Sequence, residues 1–113
     1  MVIREGTQVL VHARGGRVDG ELTVRAGTES GLLSVRFLDR SGAEVVTRDP
    51  YFLQLWAADP RLFEWRTEVV GAFDGRLAGL KPGRTIVLVR WMHGTPGDEH
   101  KDRDWPVWLT VLP

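Results

Sequence analysis

At 113 residues, 42% hydrophobic and without cysteine, the chain has the size and apolar content of one domain held by packing alone, which excludes a disulfide framework and any thiolate metal site. Fifteen basic and fifteen acidic residues cancel, so no global field draws a polyanion and nucleic acid is not an expected partner. No stretch approaches the roughly 20 apolar residues of a spanning helix, and residues 1–6 lack a basic region followed by an apolar one, so membrane insertion is not expected either.

Thirteen glycines and six prolines cut the sequence into short segments, and within them the apolar residues alternate instead of recurring at helical spacing. The first predicted strand covers residues 8–13 and stops at Arg14-Gly15-Gly16-Arg17. A second covers 20–26, with Leu22 and Val24 facing one way, and a third covers 32–38, with Leu33, Val35 and Phe37 inward. A short strand over 43–47 precedes Asp49-Pro50. Over 51–57, Tyr51, Leu53 and Leu55 alternate against Phe52, Gln54 and Trp56, and over 63–70 the pattern Phe63-Glu64-Trp65-Arg66 is taken as another strand, one turn of helix after the Asp59-Pro60 start signal being the alternative.

Gly79-Leu80-Lys81-Pro82-Gly83 then reads as a tight corner in which Pro82 presets φ. It feeds the last two strands, 85–91 with Val87, Val89 and Trp91 inward, and 107–111 with Val107, Leu109 and Val111 inward. The mixed charges of residues 98–104 predict a solvated loop between these strands. About seven short antiparallel strands and no helix long enough for a crossover predict an all-β sandwich, one domain spanning residues 1–113.

The run Leu80-Lys81-Pro82-Gly83-Arg84-Thr85-Ile86-Val87-Leu88-Val89, with the closing Val107-Trp108-Leu109-Thr110-Val111, resembles the C-terminal half of bacterial immunoglobulin-like domains of the group 2 type. There G-L-x-x-G-x-x-x-V-x-V precedes a final V-x-V strand. The run is also similar to fibronectin type III domains, although the tyrosine of their corner would fall at Ile86. Gly20-Glu21-Leu22-Thr23-Val24-Arg25-Ala26-Gly27, Leu33-Ser34-Val35-Arg36-Phe37-Leu38-Asp39 and Trp91-Met92-His93-Gly94 together resemble small exported bacterial proteins of this fold. In those, an L-M-H segment is followed by a second histidine and an aspartate; the matching positions are His100 and Asp102, with Thr95-Pro96-Gly97-Asp98-Glu99 between the histidines. The resemblance implies an immunoglobulin-like β-sandwich and export to the periplasm or cell surface where a leader has been removed, a cytoplasmic location otherwise.

Two constellations are candidates for function. The outward phase of three neighbouring strands presents Phe52 and Trp56, Ile86 and Leu88, and Trp108 and Leu112 as one apolar face. Such a face fits a protein partner, a second copy of the chain or a carbohydrate; the competing reading is that a loop or the N-terminal segment covers it. The second constellation is His93, His100 and Asp102, which with Asp98, Glu99 and Asp104 could converge on a divalent metal such as zinc. Against it, no H-x-x-x-H pins two ligands on one element, and a hydrogen-bonded histidine at a strand end is the plainer role for His93.

Catalysis is not expected. Ser30, Ser34 and Ser41 have neither a nearby histidine nor a G-x-S-x-G elbow, and Asp19, Asp39, Asp49, Asp59 and Asp74 sit beside turn formers. The expected protein is a non-catalytic binding or structural domain with no cofactor beyond that divalent metal.

Overall fold

The computed structural model describes residues 1–45, 50–95 and 97–113. Among them there are ten strands: β1 (Val2–Glu5), β2 (Gln8–Arg14), β3 (Arg17–Gly20), β4 (Leu22–Arg25), β5 (Leu33–Arg36), β6 (Tyr51–Ala57), β7 (Phe63–Arg66), β8 (Asp74–Gly79), β9 (Gly83–Thr95) and β10 (Asp98–Leu112). They form two sheets, β3-β2-β1-β5-β8-β7 and β4-β10-β9-β6, which pack face to face as a β-sandwich. Inward residues of both sheets interdigitate: Leu33, Val35 and Leu77 from one meet Val87, Val89, Val107, Leu109 and Val111 from the other, all nearly inaccessible. Alternation along each strand is what buries them, with Leu22 and Val24 buried and Thr23 and Arg25 exposed on β4.

The order explains the seven-strand expectation and where it falls short. Strands β5-β8-β7 and β6-β9-β10 take the places of B-E-D and C-F-G in an immunoglobulin-type sandwich. The strand that would precede them is split. Its first part, β1, pairs antiparallel with β5 from Val2 opposite Arg36 to Glu5 opposite Leu33. Its second part, β4, crosses to the other sheet and runs parallel to β10, from Leu22 opposite Leu109 to Arg25 opposite Leu112. The hairpin arm β2–β3 is inserted between the two parts and widens the larger sheet.

Several expected boundaries shift for identifiable reasons. Residues 1–6 are not a simple lead-in: Met1, Val2 and Ile3 are buried, and Gly6-Thr7 turns β1 into β2. The strand expected over 63–70 stops at Arg66, because Val69 and Val70 are exposed and the chain turns back at Gly71 to cap the edge of β6, Leu53 N–H donating to the Gly71 carbonyl at 2.9 Å. The strand expected over 43–47 is reduced to a bridge between Leu38 and Glu44 up to residue 45; residues 46–49, Asp49 included, lie outside the described residues.

The corner at residues 79–83 joins β8 in one sheet to β9 in the other. Gly79 is required there by close approach: a Cβ at this position would sit 2.5 Å from the Arg25 carbonyl oxygen. Thr85, just past the corner, is the one buried polar side chain among the described residues, and its hydroxyl accepts the Asp59 N–H at 2.9 Å.

Candidate binding face and hairpin end

The outer face of the four-stranded sheet is built by the phase opposite the core, and register decides what touches what. Trp56, Leu88 and Pro106 lie side by side across β6, β9 and β10, and Ile86 and Trp108 form the adjoining row. Trp56 is 47% and Trp108 44% exposed, so both rings stand in solvent with aliphatic side chains between them. Two strand spacings and two residues of rise put the two tryptophans about 12 Å apart.

Four of the six expected face residues, Trp56, Ile86, Leu88 and Trp108, are therefore contiguous. The other two are not. Phe52 is set off by the polar row Gln54, Arg90 and Asp104; it lies opposite Met92 and packs under Gly71, where an added Cβ would come within 2.9 Å of its own. Leu112 is set off by the row of Arg84, Thr110 and Thr23 and lies opposite Arg25 on the parallel edge. Pro106 also belongs to the patch: it precedes the strand expected over 107–111 but lies within β10 opposite Leu88, where it is tolerated although it has no N–H to donate.

Charge rims the patch on both sides. The Arg84 guanidinium lies 4.1 Å from the centre of the Trp108 ring and pairs with Glu21 at 3.2 Å. Arg90 sits 5.7 Å from the Trp56 ring and donates to the Gln54 amide oxygen at 3.3 Å. Asp104, opposite Arg90, accepts from Lys101 at 3.0 Å.

The segment 98–104 is not a loop. β9 and β10 continue as a hairpin arm, with His93 opposite His100 and Gly94 opposite Glu99, and β6 flanks β9 as far as Tyr51 opposite His93. Polar composition masks this pairing, because residues 98–103 are all exposed and carry no buried face of their own. Pro96 lies outside the described residues. The register slips between Lys101 and Arg103, leaving Asp102 as the extra residue of a β-bulge.

That bulge turns Asp102 toward His93, with Nδ1 and Oδ1 2.8 Å apart. The carboxylate lies off the line of the imidazole N–H, so the contact is one of proximity and the nitrogen makes no aligned hydrogen bond among the described residues. His100 stacks on His93 with ring centres 5.3 Å apart, but its Nε2 turns to Asp98 at 3.2 Å. Of the three expected metal ligands, His93 thus lies beside Asp102 and stacks on His100, whose own acidic neighbour is Asp98, and among the described residues no group of three or more histidine or acidic side chains gathers at metal-binding spacing.

No family model, no curated protein and no solved structure matches the chain.

Proposed function

We propose that the protein is a non-catalytic binding module that docks an apolar protein surface on the outer face of its four-stranded sheet. The observation that carries this is the pair of cross-strand rows Trp56-Leu88-Pro106 and Ile86-Trp108, which holds two half-exposed tryptophans over a sheet whose other face is already filled. A second copy of the chain suits this face. The chain's formal net charge is zero, and the rim carries both signs, Arg84 and Arg90 with Glu21 and Asp104, so two identical faces can meet without like charges dominating.

A carbohydrate platform has less support, because the space between the tryptophans holds only Leu88, Pro106 and Ile86, and a sugar hydroxyl set there would lose its hydrogen bonds. The metal-binding alternative has less support as well, since His93 and His100 each turn to a different aspartate.

Sedimentation velocity of the wild type and of Trp108→Glu over a wide concentration range tests the reading. The wild type is expected to move from monomer toward dimer as concentration rises, and Trp108→Glu to remain monomeric while melting at a similar temperature. A wild type that stays monomeric throughout would remove the second copy as the partner. Saturable binding to a glycan panel, lost in Trp108→Glu, would replace the protein reading by the carbohydrate one.

A further inference from the structure

A second feature lies away from the aromatic face, at the end of the sandwich where both sheets contribute to one hollow. It has a volume of about 450 Å³ and is lined by His12 and Arg14 of β2, by the turn carrying Asp39 and Arg40, and by Arg103 and Trp105 of β10. Its size falls among small-molecule sites.

The distribution of arginine partners singles it out. Of the thirteen arginines, Arg48 lies outside the described residues. Nine of the other twelve hold an acceptor: seven a carboxylate, Arg25 the Pro113 carbonyl and Arg90 the Gln54 amide. Among the described residues the three that hold none are Arg14, Arg40 and Arg103, and all three line this one hollow. In a chain whose charges balance, the uncompensated guanidiniums have been gathered rather than scattered.

The one carboxylate lining the hollow does not answer them. Asp39 Oδ1 accepts the Ser41 hydroxyl at 2.6 Å, the Ser41 N–H at 2.8 Å and the Ala43 N–H at 3.1 Å, so the carboxylate is held by its own turn and pairs with none of the three guanidiniums. Arg103 lies 4.8 Å from the centre of the Trp105 ring, a contact that fixes the plane of the guanidinium without consuming its N–H donors. The larger hollow beside β6, about 730 Å³, shows the contrast: its Arg36, Arg66 and Arg76 are answered by Asp74 and Glu29.

We propose that this hollow binds a small, multiply charged oxyanion of the phosphate-monoester class, with Arg14, Arg40 and Arg103 donating to its oxygens and His12 on the rim. Guanidinium forks match phosphate oxygens, and three of them approaching from separate segments suit a dianion with three terminal oxygens better than a single carboxylate with two. A nucleic-acid backbone is not the ligand this arrangement fits, because the unanswered cations sit in one hollow instead of running along a stripe.

Titration calorimetry and thermal melting of the 113-residue chain at low ionic strength test the site, with phenyl phosphate, inorganic phosphate and succinate as probes and sodium chloride at matched ionic strength as the reference. The expected result is saturable binding of phenyl phosphate and phosphate, weakened about tenfold or more in Arg40→Gln/Arg103→Gln and unchanged in Arg17→Gln, whose guanidinium is paired with Asp19. Arg14→Gln alone gives the same comparison should the double variant fail to fold. The proposal is overturned by the absence of saturable binding, by a stabilisation that sodium chloride reproduces, by a loss equal in Arg17→Gln, or by tighter binding of succinate than of either phosphate.

Discussion

The Arg84 guanidinium rests 4.1 Å from the centre of the Trp108 ring, and the same guanidinium reaches Glu21 on β4. This arrangement fixes an exposed ring that would otherwise be free to rotate. The coupling of Arg84 with Trp108, measured by urea unfolding of the single variants to alanine and the double variant, is expected at about 0.5–1 kcal/mol, the size of a solvent-exposed cation–π contact. Strict additivity would show that Trp108 is held by its strand neighbours alone.

Phe37 ties aromatic rings of both sheets together. Its ring stacks between Trp91 and Trp105, each at 5.2 Å, and meets Phe73 edge-on at 5.8 Å, so it locks the start of the β9–β10 arm to the larger sheet. Phe37→Ala is expected to cost about 3–5 kcal/mol, with loss of the tryptophan near-ultraviolet circular dichroism, and Phe37→Leu distinctly less. An equal cost for both would mean that volume, not the aromatic stack, matters there.

Gly94 holds a φ of 123°, and a Cβ on it would stand 2.3 Å from the Asp98 carbonyl oxygen. Gly94→Ala is therefore expected to open the tip of the arm, raising amide exchange at His93 and His100 while leaving β4 protected. Overall stability is expected to fall by about 1–3 kcal/mol. Unchanged exchange in the arm would refute the steric reading.

Acid sensitivity is expected to centre on turns. The Ser41 hydroxyl, followed by the turn amides, holds the Asp39 carboxyl below its ordinary 3.8. A depressed folded value means that the ionised form stabilises the fold above the unfolded value, and that this stabilisation is lost as pH falls through the folded one. Asp39→Asn is expected to be less stable than the wild type at pH 6, with the gap closing below pH 3.8; Ser41→Ala should narrow it in the same direction. Parallel urea midpoints across that range would exclude the linkage.

The strands that alternate over a filled core were legible in the sequence: 51–57 matches β6, and the inward sets of β4, β5, β9 and β10 are the ones alternation assigns. What escaped was set by contacts alternation does not encode. Val2-Ile3 is too short to show a period, and its burial comes from β5. The 98–104 arm has no buried face, so its pairing follows β9 and not its own composition. For the aromatic face, period two placed Trp56, Ile86, Leu88 and Trp108 together, but only register revealed that Gln54-Arg90-Asp104 and Arg84-Thr110 fence off Phe52 and Leu112. The hollow was invisible for the same reason: Arg14 ends β2 just before Gly15-Gly16, Arg40 stands in a turn and Arg103 in a mixed-charge run, and only the fold makes them neighbours.

The parallel seam between β4 and β10 carries a consequence for how the chain is made. Leu22 must wait for Leu109, and the Ala26 N–H for the Leu112 carbonyl 2.8 Å away, so β4 has no strand partner until the intervening strands and β10 have all been synthesised. Until then one edge of the smaller sheet stays open to other chains. The interval between the synthesis of β4 and that of β10 is thus the period of greatest exposure to misassembly, and whatever hastens the arrival of β10 guards β4.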